Sequence, residues 1–208
     1  MKTTNRSRKY GSLPLILACL CTPGLAADKK PEGFKPPAAS QYPNKVSSQG
    51  LVMAAKAYTE DDEMKAPFGK TNPYEHGVLP VLLVMENTGR QVLRLQNLRV
   101  EYVTSRRQKI ENVPPADVPF LKPPEKPKYN PAPIPGIHRK KKNPLRAFEI
   151  ESRAFSAKML TPGESAHGFF YFQAVHEPGA MLYVTGIEEA GTGKELFYFE
   201  VPLDAAGR

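Results

Sequence analysis

The chain has 208 residues, of which 40% are hydrophobic and 24% charged, with a formal net charge of +8. This balance excludes a disordered, collagen-like or coiled-coil polymer, and the length suits one domain with its own core better than two. The charge is uneven: four cations belong to the first nine residues, Lys2, Arg6, Arg8 and Lys9.

Those cations open a segment with the three parts of a secretory signal peptide. A short apolar stretch, Leu13 to Leu20, follows them, and Thr22-Pro23-Gly24 breaks any helix before the small residues Ala26 and Ala27. Residues 1–26 are therefore expected to be removed, with cleavage after Ala26 or Ala27. The apolar stretch falls short of the roughly 20 residues that cross a bilayer, so the mature chain is expected to have no transmembrane span. Export to the periplasm or the extracellular space follows from this reading. Ile16-Leu17-Ala18-Cys19 loosely resembles a bacterial lipobox, and the alternative form is a lipoprotein anchored at Cys19. The only two cysteines are Cys19 and Cys21. After cleavage behind them the chain has no disulfide, no thiol nucleophile and no thiolate metal ligand.

Residues 27–48 are polar and carry Pro31, Pro36, Pro37 and Pro43 without apolar periodicity, which predicts a flexible linker. The domain is expected over 49–205. Leu51 to Tyr58 is a candidate strand, and the acidic, then Pro- and Asn-bearing run from Thr59 to Tyr74 reads as a loop. Val78 to Glu86 is a continuous apolar run, which suits a strand buried in a sandwich. Asn87-Thr88-Gly89-Arg90 turns the chain. Leu98, Val100 and Tyr102 alternate with Arg99, Glu101 and Val103, the period of a half-exposed strand. Ala147 to Leu160 suggests one short helix, and Thr161-Pro162-Gly163-Glu164 a turn. His167 to Val175, Met181 to Ile187 and Glu195 to Leu203 read as strands, the last two separated by a glycine turn at Gly191 and Gly193.

About 7 short strands with at most one short helix give an all-β chain, most economically a two-layer antiparallel sandwich. The strand ending in Glu86-Asn87-Thr88-Gly89, the later Leu160-Thr161-Pro162-Gly163-Glu164 and the run Gly168-Phe169-Phe170-Tyr171-Phe172 resemble immunoglobulin-like β-sandwich domains of uncharacterised exported bacterial proteins. The resemblance implies an immunoglobulin-like fold, with the first segment ending one strand and the Pro-Gly-Glu turn feeding a core strand. It implies no catalytic or ligand-binding residues.

Val113 to Leu145 interrupts this pattern as a long insertion. It holds ten prolines and seven Lys or Arg residues against Asp117 and Glu125. Proline fixes φ and favours extended backbone, and a connection of this length within one domain is either functional or a solvated excursion. On the functional reading, Lys126, Lys128, His138, Arg139, Lys140, Lys141 and Lys142 contact an anionic envelope component or an acidic protein surface. Export argues against nucleic acid as the partner. On the other reading, the lysines only preserve solubility.

Catalytic and metal-binding patterns are weak. His76, His138, His167 and His176 share no ligand spacing. Gly191-Thr192-Gly193-Lys194 lacks the outer glycine and the hydroxyl residue of a phosphate loop. Asp61, Asp62 and Glu63 lack the alternation of a calcium loop. No catalytic residue and no cofactor is therefore expected. The sequence reading is an exported, non-enzymatic binding or scaffolding domain of the cell envelope. The alternatives are a carbohydrate-binding or hydrolytic protein using the aromatic strands around Phe169 to Phe172 and Phe197 to Phe199, and a structural domain without a specific partner.

Expression in a bacterial host followed by intact-mass analysis of the exported protein is expected to give a chain beginning at Ala27 or Asp28. A chain beginning at Cys19 with a lipid adduct identifies the anchored form.

Overall fold

The computed structural model describes residues 34–121 and 143–204. The expected signal peptide and the greater part of the basic insertion lie outside them. In chain order the strands are β1 (Val46–Ser48), β2 (Leu51–Ala57), β3 (Leu79–Asn87), β4 (Leu93–Arg94), β5 (Arg99–Val103), β6 (Lys109–Glu111), β7 (Met159–Leu160), β8 (Ser165–Phe172), β9 (Met181–Thr185), β10 (Glu188–Glu189) and β11 (Phe199–Pro202). Two α-helices accompany them, α1 (Asp61–Phe68) and α2 (Phe148–Arg153).

The strands form three antiparallel sheets, ordered β1-β2-β3-β8, β10-β4-β7 and β11-β9-β5-β6. The chain is mostly β, as its alternation and turn signals indicate. Among the described residues there are eleven strands where about seven were expected, because β1, β4, β6, β7 and β10 have only two or three residues, too few to display a period of two. Glycine requirements are local. A β-carbon on Gly168 of β8 would stand 2.6 Å from the backbone nitrogen of Phe155, which runs alongside. Gly186, just after β9, has φ +78° and its missing β-carbon would meet the backbone of Asn97.

The first sheet is buried on both faces. From one face Leu51, Met53, Leu79, Val81, Leu83 and Met85 share a core with Val100, Tyr102, Leu182, Val184, Phe199 and Val201 of the third sheet. From the other face Val52, Ala54, Leu82, Val84, Phe169 and Tyr171 pack under a second layer made of Met64 and Phe68 from α1, Ile150 from α2, and Val118 and Leu145 from the ends of the insertion. Burial on two sides explains why β3 reads as an unbroken apolar run.

Three expectations are corrected. The span Thr59 to Tyr74 is not all loop, because α1 occupies Asp61–Phe68. Its acidic first turn suits the positive end of the helix dipole, and burial of Met64, Pro67 and Phe68 holds it against the sheet despite the proline. The linker does not extend to residue 48: Ala39 is buried, the Phe34 ring lies 5.6 Å from that of Phe169, and β1 pairs with β2. The helix expected over Ala147 to Leu160 is confined to Phe148–Arg153. Beyond it Ala154 bridges to Phe169 in parallel and the chain becomes extended.

Two sequence motifs meet at one side chain. The Asn87 amide nitrogen donates to the carbonyls of Gln91 (2.8 Å) and Leu160 (3.0 Å), and its oxygen accepts from the Gly89 nitrogen (3.0 Å). Its backbone donates to the Glu164 carbonyl and accepts from the Gly163 nitrogen, so the Asn-Thr-Gly and Pro-Gly-Glu turns are bonded to each other. Asn87→Ala is expected to destabilise the domain by about 3 kcal/mol, since it strands several inward polar groups. Gly168→Ala is expected to cost about 2 kcal/mol through the clash with Phe155. Urea denaturation of both variants at constant m-value checks these magnitudes.

Candidate functional site

The strongest unexplained surface lies where the insertion leaves and rejoins the domain. On the outgoing side the Val113 nitrogen donates to the Tyr171 carbonyl at 2.7 Å, extending the sheet edge by one bridge. Pro114 and Pro115 then turn the chain, and the Asp117 nitrogen bonds back to the Pro114 carbonyl. A 3-10 turn over Val118–Phe120 buries Val118 completely and, two residues on, turns Phe120 outward.

On the returning side Asn143 makes two bonds. Its side-chain oxygen caps the 3-10 turn Pro144–Arg146 by accepting from the Leu145 nitrogen (3.0 Å), and its amide nitrogen donates to the Pro119 carbonyl (2.6 Å). The two ends of the insertion are thereby held side by side. Leu145 and Ile150 point into the second core, so Arg146 and Phe148 between them point out. Phe120 is 71% exposed and Phe148 is 78% exposed, values that large apolar side chains seldom reach in a group. The Arg146 guanidinium sits 5.7 Å from the centre of the Phe120 ring. Pro115, Pro119, Phe120, Arg146, Phe148 and Glu151 line a shallow concavity of about 340 Å³. The floor is firm: the Tyr171 hydroxyl donates to the Ile150 carbonyl at 2.7 Å, and burial pushes its pKa up, so it stays a neutral donor.

The contact residues expected from the sequence, Lys126, Lys128, His138, Arg139, Lys140, Lys141 and Lys142, lie outside the described residues. Phe120, Arg146 and Phe148 were not singled out as contacts by sequence reasoning. Phe148 reads there as one of several apolar positions of a helix, and Phe120 as an isolated aromatic among prolines. The available signal was spacing: Val118 with Leu145 and Ile150 satisfies the inward positions and leaves both phenylalanines over.

A polar cluster at the opposite type of site, the loop after β8, has catalytic-looking composition. His176 Nδ1 stands 3.4 Å from the Tyr102 hydroxyl, and Nε2 is 3.1 Å from Asp204. The Glu177 nitrogen donates to the Tyr102 oxygen (2.9 Å), the Gly179 nitrogen to Asp204 (2.7 Å), and Ser105 to Glu177 (3.0 Å). Burial pushes the Tyr102 pKa up, which the bond from Glu177 only partly opposes. Both imidazole nitrogens face partners within the fold, so the cluster works as a tie between the loop, the end of β5 and the last described residue. The ring engages Asp204 rather than its chain neighbour Glu177.

The remaining candidates are placed plainly. Asp61, Asp62 and Glu63 form the first turn of α1, where Glu63 pairs with Lys56, Asp62 with Lys65 and Asp61 with Asn72. Among the described residues no group of three or more His, Cys, Asp or Glu stands together to hold a metal ion. Phe169, Tyr171 and Phe172 of β8 are buried, and half-buried Phe170 stacks on Phe155. Phe197 and Tyr198 precede β11 and are exposed, and Tyr198 stacks on Tyr183. Among the described residues no helix is long and apolar enough to cross a membrane.

Tyr102→Phe is expected to remove the bonds to Glu177 and His176 and to cost about 1–2 kcal/mol. Hydrogen exchange is expected to speed up at Glu177 and Gly179 and to stay unchanged at Asn87, which separates a local tie from general destabilisation.

No family model matches the chain, and no curated protein matches it at a significant level. Solved structures are similar to it at low identity. A provisionally named lipoprotein of Bacillus subtilis shares 12% identity at a TM-score of 0.37, covering 79% of this chain and 39% of that one. The chain thus spans about two fifths of that protein's length. A Bordetella pertussis protein provisionally named ApaA shares 12% identity at a TM-score of 0.32, covering 74% and 88%. A conserved hypothetical protein of Bacillus anthracis shares 8% at 0.33, covering 78% and 94%.

Proposed function

We propose that this chain is an exported, non-enzymatic binding or scaffolding domain of the cell envelope, with an immunoglobulin-like sandwich as its frame. It meets its partner at the base of the insertion. The observation that carries the reading is the exposure of Phe120 and Phe148 on either side of Arg146. Two aromatic side chains held in solvent by buried neighbours are costly to keep exposed in a monomer and are typical of the centre of a contact surface. The two sheets sharing one core support the sandwich frame, and the basic residues between 122 and 142 favour an anionic envelope component or an acidic protein surface as the partner.

The test places a photo-crosslinking residue at Ala116, beside the concavity, or at Thr192, in the turn after β10. Crosslinking is carried out in envelope extract. Adducts are expected at Ala116 and not at Thr192, and Phe120→Ser with Phe148→Ser is expected to lower their yield roughly tenfold, the loss typical when central aromatic contacts are truncated. Equal adduct patterns at both positions, or adducts indifferent to the double substitution, overturn the assignment of this surface.

A further inference from the structure

We propose that the outward face of the third sheet is a platform for a neutral polysaccharide chain, a second site independent of the surface at the base of the insertion. One face of the first sheet shares its core with the third sheet, and the other packs under the helices and the roots of the insertion, so the two surfaces lie on opposite sides of it. In the third sheet Val100, Tyr102, Leu182, Val184, Phe199 and Val201 point inward. The alternate positions point out, and strand pairing aligns Glu111, Glu101, Tyr183 and Glu200 in one row across all four strands. Tyr198, one residue before β11, stacks on Tyr183 with ring centres 5.2 Å apart and 26° between the planes. The Lys109 ammonium stands 4.0 Å from the centre of the Tyr183 ring. Tyr183 is thereby half-buried, and Tyr198, 57% exposed, is left as an aromatic surface whose orientation the stack fixes.

The charged groups around these rings come in opposite pairs. Lys109 donates to Glu101 at 2.7 Å, and the Arg107 guanidinium lies 3.6 Å from the Glu200 carboxylate. Arg99 and Glu111, the other charged residues at outward positions of these strands, have opposite signs. Cations and carboxylates thus balance on this face, which gives no net attraction to an ion but offers both donors and acceptors of charge-assisted hydrogen bonds. A sugar ring supplies the match. Its hydroxyls both donate and accept, and its face of C–H bonds lies against the electron-rich face of an aromatic ring. The row from Glu111 to Glu200 spans about 14 Å at the usual spacing of strands. An open face of that width suits several linked sugars better than one. A stable protein contact is built around a larger apolar centre than one exposed ring.

The test is titration calorimetry of the purified exported protein with two neutral β-1,4-linked hexasaccharides, chitohexaose and cellohexaose, and with anionic hexagalacturonate. Binding to at least one neutral hexasaccharide is expected, tighter than to hexagalacturonate. It is expected to change less than about twofold between about 50 and 500 mM salt, where attraction between ions is strongly screened. Tyr198→Ala is expected to weaken it roughly tenfold, as loss of a central aromatic contact does. Tyr198→Leu, which keeps an apolar cover over Tyr183 without an aromatic face, is expected to weaken it by a similar factor, and Tyr198→Phe to hold it within about twofold. Phe120→Ser with Phe148→Ser is expected to leave it unchanged. Circular dichroism confirms that each variant is folded. No binding to either neutral hexasaccharide, binding indifferent to both Tyr198→Ala and Tyr198→Leu, or a preference for hexagalacturonate that fades with salt overturns the proposal. Neither outcome alters what crosslinking at Ala116 reports, so this platform and the surface at the base of the insertion stand or fall separately.

Discussion

The buried amide of Asn87 holds together parts of the chain that the rest of the domain is built around. Among the described residues only Asn87 and Thr104 are polar and buried, and a buried amide is tolerable only when its hydrogen bonds are made. Asn87 makes them to Leu160, Gln91 and Gly89, while its backbone joins Gly163 and Glu164. The end of β3 is thereby joined to the start of β8 across the whole of the insertion. With that junction fixed, the two strands run antiparallel from Glu86 opposite Ser165 to Leu79 opposite Phe172. The register in turn decides which aromatic side chains face each core. Phe172 falls on the side of the third sheet, and Phe169 and Tyr171 on the side of the helices.

The second core is where architecture and surface meet. A sheet with both faces apolar must be covered twice, and the chain covers its outer side with short pieces: Phe34 and Ala39 before β1, α1 between β2 and β3, and the two roots of the insertion. Each root uses one or two apolar anchors, Val118 going out and Leu145 with Ile150 coming back. The short turns that bury these anchors leave the intervening Phe120, Arg146 and Phe148 outside. The exposed surface is a geometric consequence of how the central sheet is covered.

The longer strands were legible because their side chains have a period and their turns have glycine, proline and asparagine in telling places. β5 alternates from Arg99 to Tyr102, the Asn-Thr-Gly turn marks the end of β3 and the Pro-Gly-Glu turn the start of β8. The rest was hidden for physical reasons. α1 carries four acidic residues at its start, counting Glu60, and a proline near its end, and its helicity depends on burying Met64 and Phe68 under partners remote in sequence. Residues 34–48 look like a linker because their anchors, Phe34, Ala39 and Tyr42, are single apolar residues among polar ones. The aromatic run of β8 suggested a ligand platform on one face, and coverage of both faces turned it into core. The aromatic part of the candidate site emerged only when Val118 and Leu145 were seen to occupy the inward positions, and the cations that the sequence singled out lie outside the described residues.

The bond from Asn143 to Pro119 acts as a clasp across the neck of the insertion. Among the described residues the neck is anchored by Val113, Val118, Asn143 and Leu145. Once a neck is closed, the entropy of the chain beyond it grows only logarithmically, about 0.6 kcal/mol for each doubling of length. By that scaling, a change in the length of chain joining the two roots adds little to the cost of closing a neck that Val113, Val118, Asn143 and Leu145 already hold. The domain resembles a socket, in which selection can rewrite what is presented without renegotiating what presents it.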